Sequence, residues 1–177
     1  FPQFLANHAE AHLKRHPFLA ELADYEWIEL AVIEADVLLD PSSDVCDQSV
    51  LQSNSSEELD LKAFAASVPR LNPTVVLRAY KYPISEIVHL LEEGEKLPRR
   101  QKAQASWILA YRAVDHNCHY LDVSELTGEI VEAMASKSDS SYGELIALAC
   151  RHSSNIEETV ADFLSMVEEF KSLGVIL

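Results

Sequence analysis

The chain has 177 residues, enough for one ordinary domain or two small ones, and 48% of them are hydrophobic, ample for a packed core. That apolar share excludes wholesale disorder; no apolar run is long enough for a membrane span, and no signal-peptide pattern opens the chain. The net charge of −15 is uneven: residues 1–40 contribute −6, residues 41–60 −5, residues 61–115 +4 and residues 116–177 −8, so a polyanion has only the 61–115 segment to bind.

Residues 2–15 read as a helix with Pro2 at its start, and Pro17 opens a second, long helix that runs to about Leu39 before Pro41 stops it. The stretch from Asp40 to Asp60, DPSSDVCDQSVLQSNSSEELD, is rich in Ser and Asp with little periodicity. It reads as a linker over 41–60, separating a helical domain at 1–40 from an α+β domain at 61–177. A short helical or irregular piece at Leu61 to Val68 precedes TVVLRAY (74–80), whose β-branched residues predict a strand. Pro83 opens a helix through Ile84, Ile87, Val88 and Leu91, with Gly94 placed to end it. Residues 105–114 and 118–123 flank the turn-prone DHN at 115–117 and read as a hairpin.

The last third is helical. Asp122-x-x-Glu125, Ser141-x-x-Glu144 and Ser154-x-x-Glu157 each have capping-box spacing. The final helix places Ile156, Val160, Phe163, Leu164, Val167 and Phe170 on one face, Gly174 ends it, and residues 175–177 suit a short strand. The fold class that follows is α+β: a helical N-terminal segment, then a small C-terminal domain with a short antiparallel sheet and several helices, winged-helix-like in its order of hairpin and helices.

Few residues suggest chemistry. The helix ELADYEWIELAVIEAD (21–36) threads six acids among apolar residues, but no His follows Glu26 or Glu29 at the offset a di-iron bundle needs. A helix packed on several sides, with its acids emerging at seams, explains the same letters. His8, His12 and His16 share one helix face, yet His8 and His16 lie about 12 Å apart along the axis and cannot hold one ion. In His116-x-Cys118-His119, strand alternation sends Cys118 and His119 to opposite faces. Cys46, Cys118 and Cys150 are too scattered for a disulfide framework and suit a reducing cytoplasm. No nucleophile elbow, phosphate-cradling loop or dinucleotide fingerprint is present. The reading is therefore a chain without catalytic residues, metal or cofactor.

HPFLAELADYEWIELAV (16–32), LNPTVVLRAYKYPISEI (71–87) and WILAYRA (107–113) together resemble the HvfC/BufC-type bacterial family. Members join a helical N-terminal domain, often labelled a DNA-binding domain, to a small α+β domain, and serve as partners of multinuclear non-haem iron oxidases. The resemblance implies an adaptor that binds a precursor peptide and its oxidase in the maturation of peptide natural products. The helical domain of such proteins holds more helices than residues 1–40 supply, so the resemblance implies either that residues 1–40 are the C-terminal part of a larger helical domain, as a first residue Phe1 rather than Met suggests, or that this member is shortened.

Two partner classes follow. A peptide can add to an open sheet edge, with Arg78, Tyr80, Trp107, Tyr111 and Arg112 as candidate contacts; the competing reading makes Trp107 and Tyr111 core. A DNA-binding transcriptional regulator would instead use Lys81, Lys96, Arg99, Arg100 and Lys102. The final helix argues against DNA, because Glu157, Glu158, Asp162, Glu168 and Glu169 outweigh Lys171 and repel phosphates.

Overall fold

The computed structural model describes residues 10–36, 57–97, 101–137 and 139–177. The fold is α+β, with seven helices and one three-stranded antiparallel sheet among these residues. Contacts divide the described residues into two compact units, one containing residues 10–36 and 74–128, the other residues 57–73 and 129–177. This division differs from the 1–40 and 61–177 domains read from the sequence, because the N-terminal helices group with the sheet. Most of the 41–60 linker lies outside the described residues, and residues 57–60 are already helical.

The first unit is built on strands β1 (Val76–Tyr80), β2 (Ser106–Arg112) and β3 (Cys118–Val123), in that order across the sheet. Arg78 lies opposite Ile108 in the first pair, and Asp122 lies opposite Ile108 in the second. β1 starts two residues later than Thr74, whose hydroxyl accepts the Arg112 amide at 2.9 Å just before the ladder. β2 stops at Arg112 because the turn begins there: Asn117 O accepts the Ala113 amide at 3.1 Å and Ala113 O accepts the His116 amide at 3.0 Å. His116 takes φ of 64°, a left-handed conformation that His tolerates better than most non-glycine residues.

Helices α1 (Glu10–Arg15), α2 (Leu19–Ile33) and α4 (Ile84–Glu92) belong to the same unit. Residues 2–9 of the expected first helix lie outside the described part. The second helix was expected to reach Leu39 but ends at Ile33, where Arg112 Nη1 donates to the carbonyls of Ile33 at 2.9 Å and Ala35 at 3.1 Å. Pro83 precedes α4, and Gly94 follows it at φ of 70°. Alternation along β2 sends Ile108 and Ala110 toward the helices, where they pack in one core with Phe18, Ile28, Val32, Tyr80, Ile84 and Ile87. Trp107, Leu109 and Tyr111 take the opposite face. Against it comes Gly128, early in α5 (Glu125–Ser136), so close that an added Cβ would lie 2.5 Å from Trp107 Cε3.

The second unit holds α3 (Glu57–Ala66), α6 (Tyr142–Ala149), a 3₁₀ turn (Cys150–His152) and α7 (Ile156–Leu173). Tyr142 is its aromatic hub, stacked on Phe64 at 4.4 Å and meeting Phe163 edge-on at 6.4 Å, with Lys171 Nζ 5.6 Å from its ring centroid. Ser141 and Glu144 form the expected capping box. The other two expected boxes do not form. Asp122 lies within β3 and accepts the Ser85 hydroxyl at 2.6 Å, while Ser124 accepts the Thr127 amide. At α7 the cap is Asn155, which pairs with Glu158 rather than Ser154 with Glu157. Phe163, Val167 and Phe170 are buried as their spacing predicted, but Ile156 in the first turn is exposed. Gly174 ends α7 at φ of 77°, and the expected terminal strand is reduced to one antiparallel bridge between Leu71 and Ile176.

Gly128→Ala should destabilise the protein. Overpacking against Trp107 costs about 1–3 kcal/mol, more than the roughly 0.5–1 kcal/mol that Ala gains over Gly in a helix. A lower urea midpoint for the variant is the expected result.

Candidate functional site

The first unit brings together most of the residues that drew attention in the sequence, and gives several of them structural work. Asp24 Oδ2 on α2 accepts the Tyr80 hydroxyl at 3.0 Å and Arg78 Nε at 3.3 Å. One turn earlier, the Glu21 carboxylate accepts the backbone amides of Lys81, at 3.0 and 3.1 Å, and Tyr82, at 3.1 Å. These two acids anchor α2 to the end of β1. A further seam contact is the Tyr25 ring, stacked on Tyr120 of β3 with centroids 4.5 Å apart and planes at 23°.

Burial sets the phenol chemistry here. Desolvation pushes Tyr25 up to about 12, and the nearby carboxylates of Asp122 and Glu26 act in the same direction. Tyr80 and Tyr120 are raised too, each chiefly by desolvation, Tyr80 next by Asp24. Burial likewise pushes the Cys118 thiol up, which leaves it a weak nucleophile.

Of the candidate peptide contacts, Tyr111 is only 2% exposed and Tyr80 is also buried, so neither offers surface to a partner. Trp107 is half-buried against Gly128. Arg78 is exposed but paired with Asp24, and Arg112 meets the C-terminal carbonyls of α2. For addition of a peptide at a sheet edge, β2 is central and paired on both sides; β1 and β3 are the outer strands. Of the candidate nucleic-acid contacts, Lys81, Lys96 and Lys102 are exposed, whereas Arg99 and Arg100 lie outside the described residues.

The compact His116, Cys118 and His119 group separates as alternation requires. Cys118 packs on the helix-covered core, whereas the His119 ring lies 5.8 Å from Tyr111 and its Nε2 is 3.1 Å from Asp115 Oδ2. Asp115 is held down at about 2, first by the Asn117 side chain, then by the Asn117 amide and His119. This carboxylate organises the hairpin turn. Among the described residues no three His, Cys, Asp or Glu side chains converge to hold a metal ion.

Sequence reasoning missed a different surface. On α2, Ile28 and Val32 face the core, while Trp27, Leu30 and Ile33 stand in solvent with Glu26, Glu29 and Glu34 among them. The available signal was the lack of a single apolar side in residues 21–36. No helix among the described residues is long and apolar enough to cross a membrane. Compared with known proteins, the chain matches no family model and no curated protein.

The Tyr25 shift has a definite pH consequence. Its folded value of about 12 lies above the ordinary 10, so its contribution is complete below pH 10 and is lost as pH rises through about 12. In an alkaline titration followed by tyrosinate absorbance, Tyr25→Phe should remove an ionisation near pH 12 and leave the absorbance near pH 10 unchanged.

Proposed function

We propose that the chain is a non-enzymatic adaptor that binds polypeptides: a precursor peptide added as a strand to the sheet, and a partner iron-dependent oxidase. The observation that carries this reading is the three-strand order, which leaves β3 as an outer strand with no further strand paired to it among the described residues. An added peptide would gain main-chain hydrogen bonds along Cys118–Val123, with specificity from alternate side chains. His119, Leu121 and Val123 lie on one face of that strand, and Cys118, Tyr120 and Asp122 on the other. β1 is a poorer acceptor, because Glu21 already holds the amides that follow it. The oxidase and precursor are what the family resemblance contributes to the proposal.

Charge supports a polypeptide over DNA. The acids of α7 are exposed, where they repel phosphates. A DNA-binding regulator would need Lys81, Lys96 and Lys102 to act together with Arg99 and Arg100.

Capture from native cell extract by the full chain, followed by hydrogen exchange of the complex, tests the reading. Recovery of an iron oxidase or a small cysteine-rich peptide, with new protection at residues 118–123, is expected. Recovery of nucleic acid alone, or a bound peptide that leaves 118–123 unprotected, would overturn it.

A further inference from the structure

The outward face of α2 is unlike an ordinary solvated helix face. Trp27 is 50% exposed, Leu30 41% and Ile33 43%, and Ala31 beside them is exposed as well. Single exposed apolar residues are common. These three recur at i, i+3 and i+6, and at 3.6 residues per turn they span about 120° of the helix surface, the width of a core-facing stripe. The core-facing stripe of the same helix is already occupied by Ile28 and Val32. A Trp standing half out of such a stripe is the residue type that most often anchors an interface.

The charges that α2 itself places around it share one sign. No Lys or Arg occurs between residues 16 and 36, and Glu26, Glu29 and Glu34 form no ion pair among the described residues. Glu29 and Glu34 also sit near the helix C-terminus, where the macrodipole favours cations, and the last turn holds no basic residue. Acids at that end weaken the isolated helix. Arg112 meets the carbonyls of Ile33 and Ala35 at that end, which leaves the three exposed carboxylates themselves for a partner's cations to pair.

The same charges select the occupant. Residues 37–56 contain three Asp and no Lys or Arg, and residues 1–9 contain neither acids nor Lys or Arg, so neither segment offers the cations this face lacks. A second copy docked symmetrically would set Glu26, Glu29 and Glu34 against themselves. The surface calls for a helix with apolar residues at i, i+3 or i+4, and i+7, flanked by Lys or Arg. We propose that Trp27, Leu30 and Ile33, rimmed by Glu26, Glu29 and Glu34, form a docking site for a basic amphipathic helix of a protein partner. The inference rests on the adaptor reading for the partner being a polypeptide, and adds to the β3 edge a second, chemically distinct surface.

The test uses the full chain and two synthetic peptides of one amphipathic pattern, one of Leu and Lys, the other with Glu in place of Lys, titrated by calorimetry and tryptophan emission. The Lys peptide should bind about tenfold or more tightly than the Glu peptide. Its affinity should fall steeply between about 50 mM and about 500 mM salt. Trp27→Ala and the triple variant Glu26→Gln, Glu29→Gln, Glu34→Gln should each weaken binding about tenfold with an unchanged circular dichroism spectrum. The control triple variant Glu157→Gln, Glu158→Gln, Asp162→Asn on α7 should bind as the wild type does.

Equal weakening by the α7 variant would show general attraction between opposite charges and overturn the proposal. So would Lys-peptide binding that Trp27→Ala leaves intact, or a dimer that buries Trp27. Blue-shifted Trp27 emission that no peptide moves would show that the chain covers its own face, and would also overturn it. The two readings fail separately. If the wild type captures no polypeptide from extract but binds the Lys peptide through α2, the adaptor reading falls and the docking surface stands. If capture succeeds unchanged with the α2 triple variant, and that variant also binds the Lys peptide normally, the docking surface alone falls.

Discussion

The seating of α2 on the sheet is the constraint on which the first unit depends. Ile28 and Val32 bury against Ile108 and Ala110, and hydrophobic burial alone would tolerate a sliding or rotated helix. Directional contacts remove that freedom. Asp24 accepts a phenol from β1, Glu21 accepts two successive amides at its end, and Tyr25 stacks on β3. A buried phenol without its acceptor is disfavoured, so the Asp24 to Tyr80 bond specifies register as well as contributing stability. Arg112 closes the arrangement from the sheet side by meeting the C-terminal carbonyls of α2.

Once that register is set, the other side of α2 is set as well. The helix that supplies acids to the seam necessarily turns Glu26, Glu29 and Glu34 outward with Trp27, Leu30 and Ile33. One sequence therefore carries two kinds of carboxylate. The inner pair has partners in the fold. The outer three meet solvent, and Glu29 and Glu34 add to the negative end of the helix dipole. That split underlies the proposed choice of a positively charged polypeptide for this face, where phosphate groups would be repelled.

Features governed by neighbours in the chain were legible in the sequence. Pro83 and Gly94 bracket α4, Gly174 stops α7, and Ser141 with Glu144 caps α6, because each depends on residues within one turn. Local chemistry also misled where two registers were equally good: Ser154-x-x-Glu157 and Asn155-x-x-Glu158 both satisfy the capping pattern, and the structure uses the second. Asp122-x-x-Glu125 failed because strand pairing carries Asp122 into β3. Of the proposed contacts, Tyr80, Arg78 and Arg112 have partners on or just after α2, 54 to 79 residues away in sequence, and no periodicity reveals such pairs. Tyr111 was recognisable as core from its alternation with Trp107 and Leu109, and that competing reading describes its burial.

Unfolding in urea of three variants tests the division between inner and outer acids most directly. Asp24→Ala strands the Tyr80 hydroxyl and should cost about 1–3 kcal/mol, with much of the loss recovered when Tyr80→Phe is added. Glu26→Ala, on the outer face, should stay within about 0.5 kcal/mol of the wild type. If Asp24→Ala proved as neutral as Glu26→Ala, α2 would not be held by its carboxylates and the account would be contradicted.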